Sequence, residues 1–143
     1  MKRAALAGPV LVAGLHLLSC RGHEEVQLHS QLTYYVATQE ALASDDFDRA
    51  GTALESLAHH AEGKLKSLAA KAAVAPDIGA MRDHFKPLSQ DYLVREIPTG
   101  HRLAYCPMAD NSRGAHWVQK DGQIMNPYFG ASMLHCGVFA ESP

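Results

Sequence analysis

The sequence predicts a mainly α protein: a three-helix antiparallel bundle followed by a small C-terminal β-hairpin module. Three observations predict it. Apolar residues recur at spacings of three and four from about Val26 to Tyr92, the period of an amphipathic helix. Pro98-Thr99-Gly100 then ends that pattern. Beyond it, short apolar runs flank Asp121-Gly122, a strong signal for a tight hairpin turn.

The first helix is expected over 26–43, with Leu28, Leu32, Tyr35, Gln39 and Leu42 mostly on one face. Ser44-Asp45-Asp46 is a turn that supplies N-cap residues and early acidic charge to the next helix. In the second helix Phe47, Ala50, Leu54, Leu57, Ala61, Leu65, Leu68 and Ala72 keep the spacing throughout, which predicts one long element. Gly63 weakens its middle by roughly 1 kcal/mol relative to Ala. Ala75-Pro76-Asp77 ends it, and the third helix carries Ile78, Met81, Phe85, Leu88 and Tyr92 on one face. Pro87 lies inside that pattern, removes a backbone donor and is expected to kink or split the helix. After the break, His101 to Cys106 reads as a strand with Leu103 and Tyr105 on one side. Trp117-Val118-Gln119 and Gln123-Ile124-Met125 are the expected arms of the Asp-Gly hairpin. Asn126 to Gly130 is a turn, and Ala131 to Leu134 a short helical turn.

The N-terminus predicts export. Lys2 and Arg3 precede Ala4 to Leu18, a stretch without formal charge that His16 interrupts. It is shorter than the ~20 apolar residues a spanning helix needs and has the length of a signal-peptide core. Leu17-Leu18-Ser19-Cys20 looks like a lipobox, the site where a cysteine thiol receives lipid before cleavage. Residues 1–19 are therefore expected to be a lipoprotein signal peptide. Cys20 is the lipidated first residue of the mature chain, and 20–25 a polar tether. Arg21 stands where an Asp would suggest inner-membrane retention. The expected location is the bacterial envelope, on the periplasmic face of the outer membrane.

What remains, 26–143, is one domain's length: a helical bundle over 26–97 and a Cys/Met-rich β module over 101–140. The formal net charge is −2, and nothing beyond Lys2-Arg3 is polybasic, which argues against a nucleic-acid partner held through phosphates. With Cys20 lipidated, Cys106 and Cys136 are the two cysteines left of three.

Those two sit in a segment rich in soft donors. Cys106-Pro107-Met108 and Met133-Leu134-His135-Cys136 lie on either side of the expected hairpin, which would bring its ends together. Thiolate and thioether sulfur suit Cu(I) or Ag(I). His116, Met125 and His135 are additional candidate ligands. The competing reading is a Cys106–Cys136 disulfide across 30 positions, worth roughly 3–4 kcal/mol by loop entropy, with Met108 and Met133 as core fillers. Spacing alone leans toward the disulfide. A Cys106 nucleophile paired with His101 or His116 lacks a supporting acid or oxyanion motif, so an enzyme is not expected. His29 and the adjacent His59-His60 read as solvated helix faces.

Four blocks add a resemblance. They are Tyr105-Cys106-Pro107-Met108-Ala109, Gly114 to Gln119, Ile124 to Gly130, and Met133 to Gly137. Together they resemble an uncharacterised domain family of exported bacterial proteins. It occurs alone or fused to CusB-type periplasmic adaptors of copper and silver efflux pumps. Tyr34-Tyr35, Ala41 to Asp46 and Phe85 to Ser89 match more loosely. The resemblance implies envelope location and heavy-metal handling, and it points to Cys106, Met108, Met133 and Cys136. It shifts the expectation to a non-enzymatic lipoprotein that binds or senses Cu(I) or Ag(I), linked to heavy-metal efflux components. The alternative is a disulfide-stapled protein-interaction domain without metal.

Overall fold

The computed structural model describes residues 16–141. The body of the expected signal peptide, residues 1–15, lies outside them, as does the side chain of Cys20. Among the described residues the chain is mostly helical and ends in a small antiparallel sheet. The helices are α1 (His16–Ala43), α2 (Phe47–His60), α3 (Gly63–Ala73) and α4 (Ile78–Tyr92). The strands are β1 (His101–Cys106), β2 (Ala115–Lys120) and β3 (Val138–Phe139). No described helix is long and apolar enough to cross a membrane.

Three helical expectations need correction. First, the helix expected from 26 begins earlier, because α1 already covers the segment expected to be the polar tether at 20–25. Glu24, Glu25 and Gln27 are good helix formers, so the helix persists before its buried stripe begins at Gln31 and Leu32.

Second, the long second helix is two. The break falls at Ala61 and Glu62, which are extended, with Gly63 at φ +58°. The carbonyl of His60, freed from helical bonding, accepts from Gln27 Nε2 at 3.2 Å and Gln31 Nε2 at 3.0 Å. Ala61 and Leu65 are buried on either side of the break. The apolar spacing therefore continues through it and hides it from the sequence.

Third, α4 is continuous through Pro87 rather than split. Phe85, Leu88, Ser89 and Tyr92 around the proline are all buried, and their packing outweighs one missing backbone bond. Side-chain caps start α2 and α4. Asp46 accepts from the Arg49 amide at 3.0 Å, and Asp77 from the Ala80 amide at 2.8 Å.

The sheet has the order β2-β1-β3, antiparallel throughout. The expected Asp121-Gly122 hairpin does not form. β2 pairs with β1, from His101↔Lys120 to Cys106↔Ala115, and 121–125 leaves the sheet. The reason is Gln119, which is buried. Its Oε1 accepts from Trp117 Nε1 at 2.9 Å and the Met125 amide at 3.0 Å, and its Nε2 donates to the Gln123 carbonyl at 2.8 Å. One side chain thus satisfies backbone groups that a partner strand would have paired.

β2 is an edge strand, yet helices cover its outer side. The Val118 amide donates to Tyr35 Oη at 3.1 Å. Ser89 Oγ donates to the His116 carbonyl at 3.0 Å and lies 2.6 Å from Tyr35 Oη. Tyr128 Oη donates to the same carbonyl. Buried hydroxyls from α1, α4 and the 126–130 turn therefore satisfy an edge that would otherwise template aggregation. One core cluster runs from Leu32, Tyr35 and Leu42 through Phe85 and Leu88 to Cys106, Trp117 and Tyr128.

Candidate functional site

Cys106 is the last residue of β1, and its side chain is fully buried in the core. Cys136 follows the 3₁₀ turn Gly130–Ser132 and is half-buried. The two Sγ atoms are 3.2 Å apart and unbonded.

The chain builds this approach from both sides. β3 begins two residues after Cys136 and pairs Val138 with Tyr105 and Phe139 with Ala104, which lays Cys136 beside the end of β1. On the other side Asn126, fully buried, donates from Nδ2 to the Cys136 carbonyl at 2.7 Å. Its Oδ1 accepts from the Tyr128 amide at 2.8 Å, and its own amide donates to the Leu134 carbonyl at 2.7 Å. The Cys136 amide donates to the Met133 carbonyl at 3.0 Å. Gly137 completes the fit, since a Cβ there would lie 2.9 Å from both Trp117 Cη2 and the Tyr105 carbonyl oxygen.

The other predicted ligands are placed differently. Met108 is 52% exposed and opens on a groove of about 400 Å³ beside α4, with Arg82, Lys86 and Phe129. Met133 is half-buried and contributes its carbonyl to the Cys136 turn. Met125 lends backbone groups to Gln39 and Gln119.

His116 stands opposite Tyr105 in register, its ring 4.6 Å from that of Tyr105. Alternation along the strand puts it on the sheet face away from Cys106. Burial lowers its pKa below the ordinary value. His135 is exposed, and its Nδ1 lies 2.7 Å from the Ile124 carbonyl. Nδ1 must therefore donate to that carbonyl.

His101 and Cys106 occupy opposite ends of β1, about 17 Å apart at the usual strand rise. Neither histidine of the Cys/His pairing is thus beside the thiol. His60 is tied to the Ser56 carbonyl at 2.8 Å and packs at a tilt against the Tyr34 ring at 4.9 Å, while His29 and His59 are exposed. Among the described residues no group of three or more His, Cys, Asp or Glu side chains converges.

The hydrogen bond to Cys106, and then burial, push the Cys136 thiol above its ordinary value. Cys136 is therefore a thiol at neutral pH, and any ion that binds it must displace the proton. Asn126, which holds the Cys136 turn, carried no signal beyond its place in a turn before Pro127. Comparison with models of known protein families, with curated proteins and with solved structures finds no match.

Proposed function

We propose that the chain is a bacterial envelope lipoprotein, anchored through lipid on Cys20, that binds or senses Cu(I) or Ag(I) at the Cys106–Cys136 pair. The observation that carries this reading is the 3.2 Å approach of two unbonded thiols. Two thiolates are soft donors of the kind that Cu(I) and Ag(I) prefer. Structural zinc takes four ligands, and hard ions take oxygens. The half-buried position of Cys136 supplies a route for the ion, and full burial of Cys106 in the hydrophobic core supplies a dry wall.

Met108, exposed on a separate groove beside α4, fits a soft docking ligand better than a resident one. The four sequence blocks support a link to heavy-metal efflux components, and Arg21 directly after Cys20 supports the periplasmic face of the outer membrane. The test is mass measurement under native conditions of reduced protein titrated with Cu(I). One ion per chain, lost in Cys106→Ser, supports the reading; no bound ion refutes it.

The same approach favours a second reading, a disulfide that staples β3 to β1 in a protein-interaction domain. Two thiols in contact close easily in an oxidising compartment. Counting free thiols in unreduced envelope protein separates the two states.

A further inference from the structure

We propose that Cys106 and Cys136 form an ordered dithiol that undergoes thiol–disulfide exchange with small disulfides such as oxidised glutathione, Cys136 reacting first and Cys106 resolving. This activity goes beyond ion binding. It shares the pair's geometry with that reading but requires no metal.

The order follows from access. Cys106 is fully buried, in the same core cluster as Trp117, Ile124 and Ala104. Cys136 is half-buried, and its neighbours His135 and Val138 are exposed. A reagent from solvent therefore meets one sulfur and not the other.

The chemistry balances without a further reactant. Cys136 gives up its proton to solvent, and the thiolate formed attacks one sulfur of the small disulfide, whose S–S bond breaks. One thiolate departs with the electron pair and takes up a proton. The product is a mixed disulfide on Cys136. The Cys106 thiolate then attacks Cys136 Sγ, expels the second small thiolate and forms the Cys106–Cys136 bond. Two protein thiols have been oxidised and one small disulfide has been reduced to two thiols. The two thiol protons end on the two leaving groups.

Resolution is fast because the partner is already in place. The sulfurs start 3.2 Å apart, so closing to a bond of about 2.0 Å needs a shift of only about 1 Å. β3 and Asn126 hold the Cys136 backbone throughout. Reaction within the chain therefore outruns attack by a second glutathione. Reduction runs the same path backwards, with an external thiolate attacking Cys136 and Cys106 leaving.

The experiment uses the full chain with Cys20→Ser, so that only the two thiols remain. Three proteins are treated with oxidised glutathione and followed by intact mass: this parent, Cys106→Ser and Cys136→Ser. The parent is expected to lose two hydrogens without accumulating an adduct. Cys106→Ser should gain one glutathione and keep it. Cys136→Ser should react more slowly than Cys106→Ser by at least about tenfold, the factor that about 1.4 kcal/mol of local opening imposes.

Equal rates for the two single variants overturn the order, and a parent that stops at the adduct overturns resolution. Cys106→Ala, whose side chain suits the apolar core, repeats the test should serine disturb folding. Persistence of the adduct there supports the proposal, and its absence refutes it. The proteins are kept metal-free, so failure here leaves ion binding untouched, and failure of ion binding leaves this order untouched.

Discussion

Tyr35→Phe removes one oxygen from the centre of the molecule and tests how the helices hold the sheet. Tyr35 is fully buried, and its hydroxyl accepts from the Val118 amide at 3.1 Å and meets Ser89 Oγ at 2.6 Å. Burial holds the phenol protonated far above its ordinary value, so the oxygen can donate to Ser89 while accepting from Val118. The variant keeps the ring, with its stacking on Tyr92 at 4.2 Å and its contact with Phe85 at 5.4 Å. The cost is therefore polar. The edge-strand amide of Val118 is left without a partner, a penalty of about 1–3 kcal/mol. Ser89 keeps the His116 carbonyl. Near 2 kcal/mol, with a urea slope of about 2 kcal/mol/M, the unfolding midpoint falls by about 1 M. The assay is urea unfolding followed by far-ultraviolet circular dichroism, with exchange of the Val118 amide measured alongside. Tyr34→Phe, outside this network, is the control and should stay within about 0.5 kcal/mol of the parent. A midpoint for Tyr35→Phe equal to that of the parent refutes the reasoning.

Three further outcomes are expected. Gly63 and Gly130 share a left-handed backbone, φ +58° and +56°, but a Cβ at Gly63 meets open space whereas one at Gly130 would run into Asp45 Oδ1 and Arg82 Nη2. Gly63→Ala should therefore cost about 1–2 kcal/mol and Gly130→Ala clearly more, and equal losses in urea unfolding would contradict the clash. Asp45 is held below its ordinary pKa by its bond to Arg82 and then by the Ala131 amide. A lowered folded pKa adds stability above the unfolded value, lost as pH falls through the folded one. Asp45→Asn should thus be less stable at neutral pH and lose less on acidification below about pH 4, and parallel acid limbs would refute this. Cys20→Ser should block lipid-dependent processing, because the lipid joins the thiol; mature protein appearing at the parent's rate by immunoblot would dispose of the lipobox.

Where one side chain decides its own environment, the sequence was readable. Leu32, Tyr35, Leu54, Leu57, Met81, Phe85 and Leu88 all declare buried helical faces by spacing, and all are buried. The cap at Asp46, within the Ser44-Asp45-Asp46 turn, was likewise local. Contacts between distant residues were not readable. The break at Ala61-Glu62 depends on Gln27 and Gln31, reached through tertiary packing. The Asp121-Gly122 turn has the right local chemistry for a hairpin, but Gln119 captures the backbone of the second arm. At the candidate site, approach of Cys106 to Cys136 was expected, yet from the wrong hairpin. β3 and Asn126 bring them together instead. Spacing in sequence could not tell that Met108 would open on a separate groove, or that strand alternation would turn His116 to the other face.

Competition for Cu(I) between a chromophoric chelator and the fully reduced chain, carrying Cys20→Ser, tests the central claim most directly. The parent should withdraw one equivalent from the chelator, and its affinity should fall as pH drops, because protons compete for the thiolates. Cys106→Ser and Cys136→Ser should each lose tight binding, while Met108→Leu, at nearly constant volume, should retain it with a moderate loss. A reduced parent that cannot compete, or cysteine variants that compete as well as it does, would contradict the metal site and leave the pair as a redox-active staple.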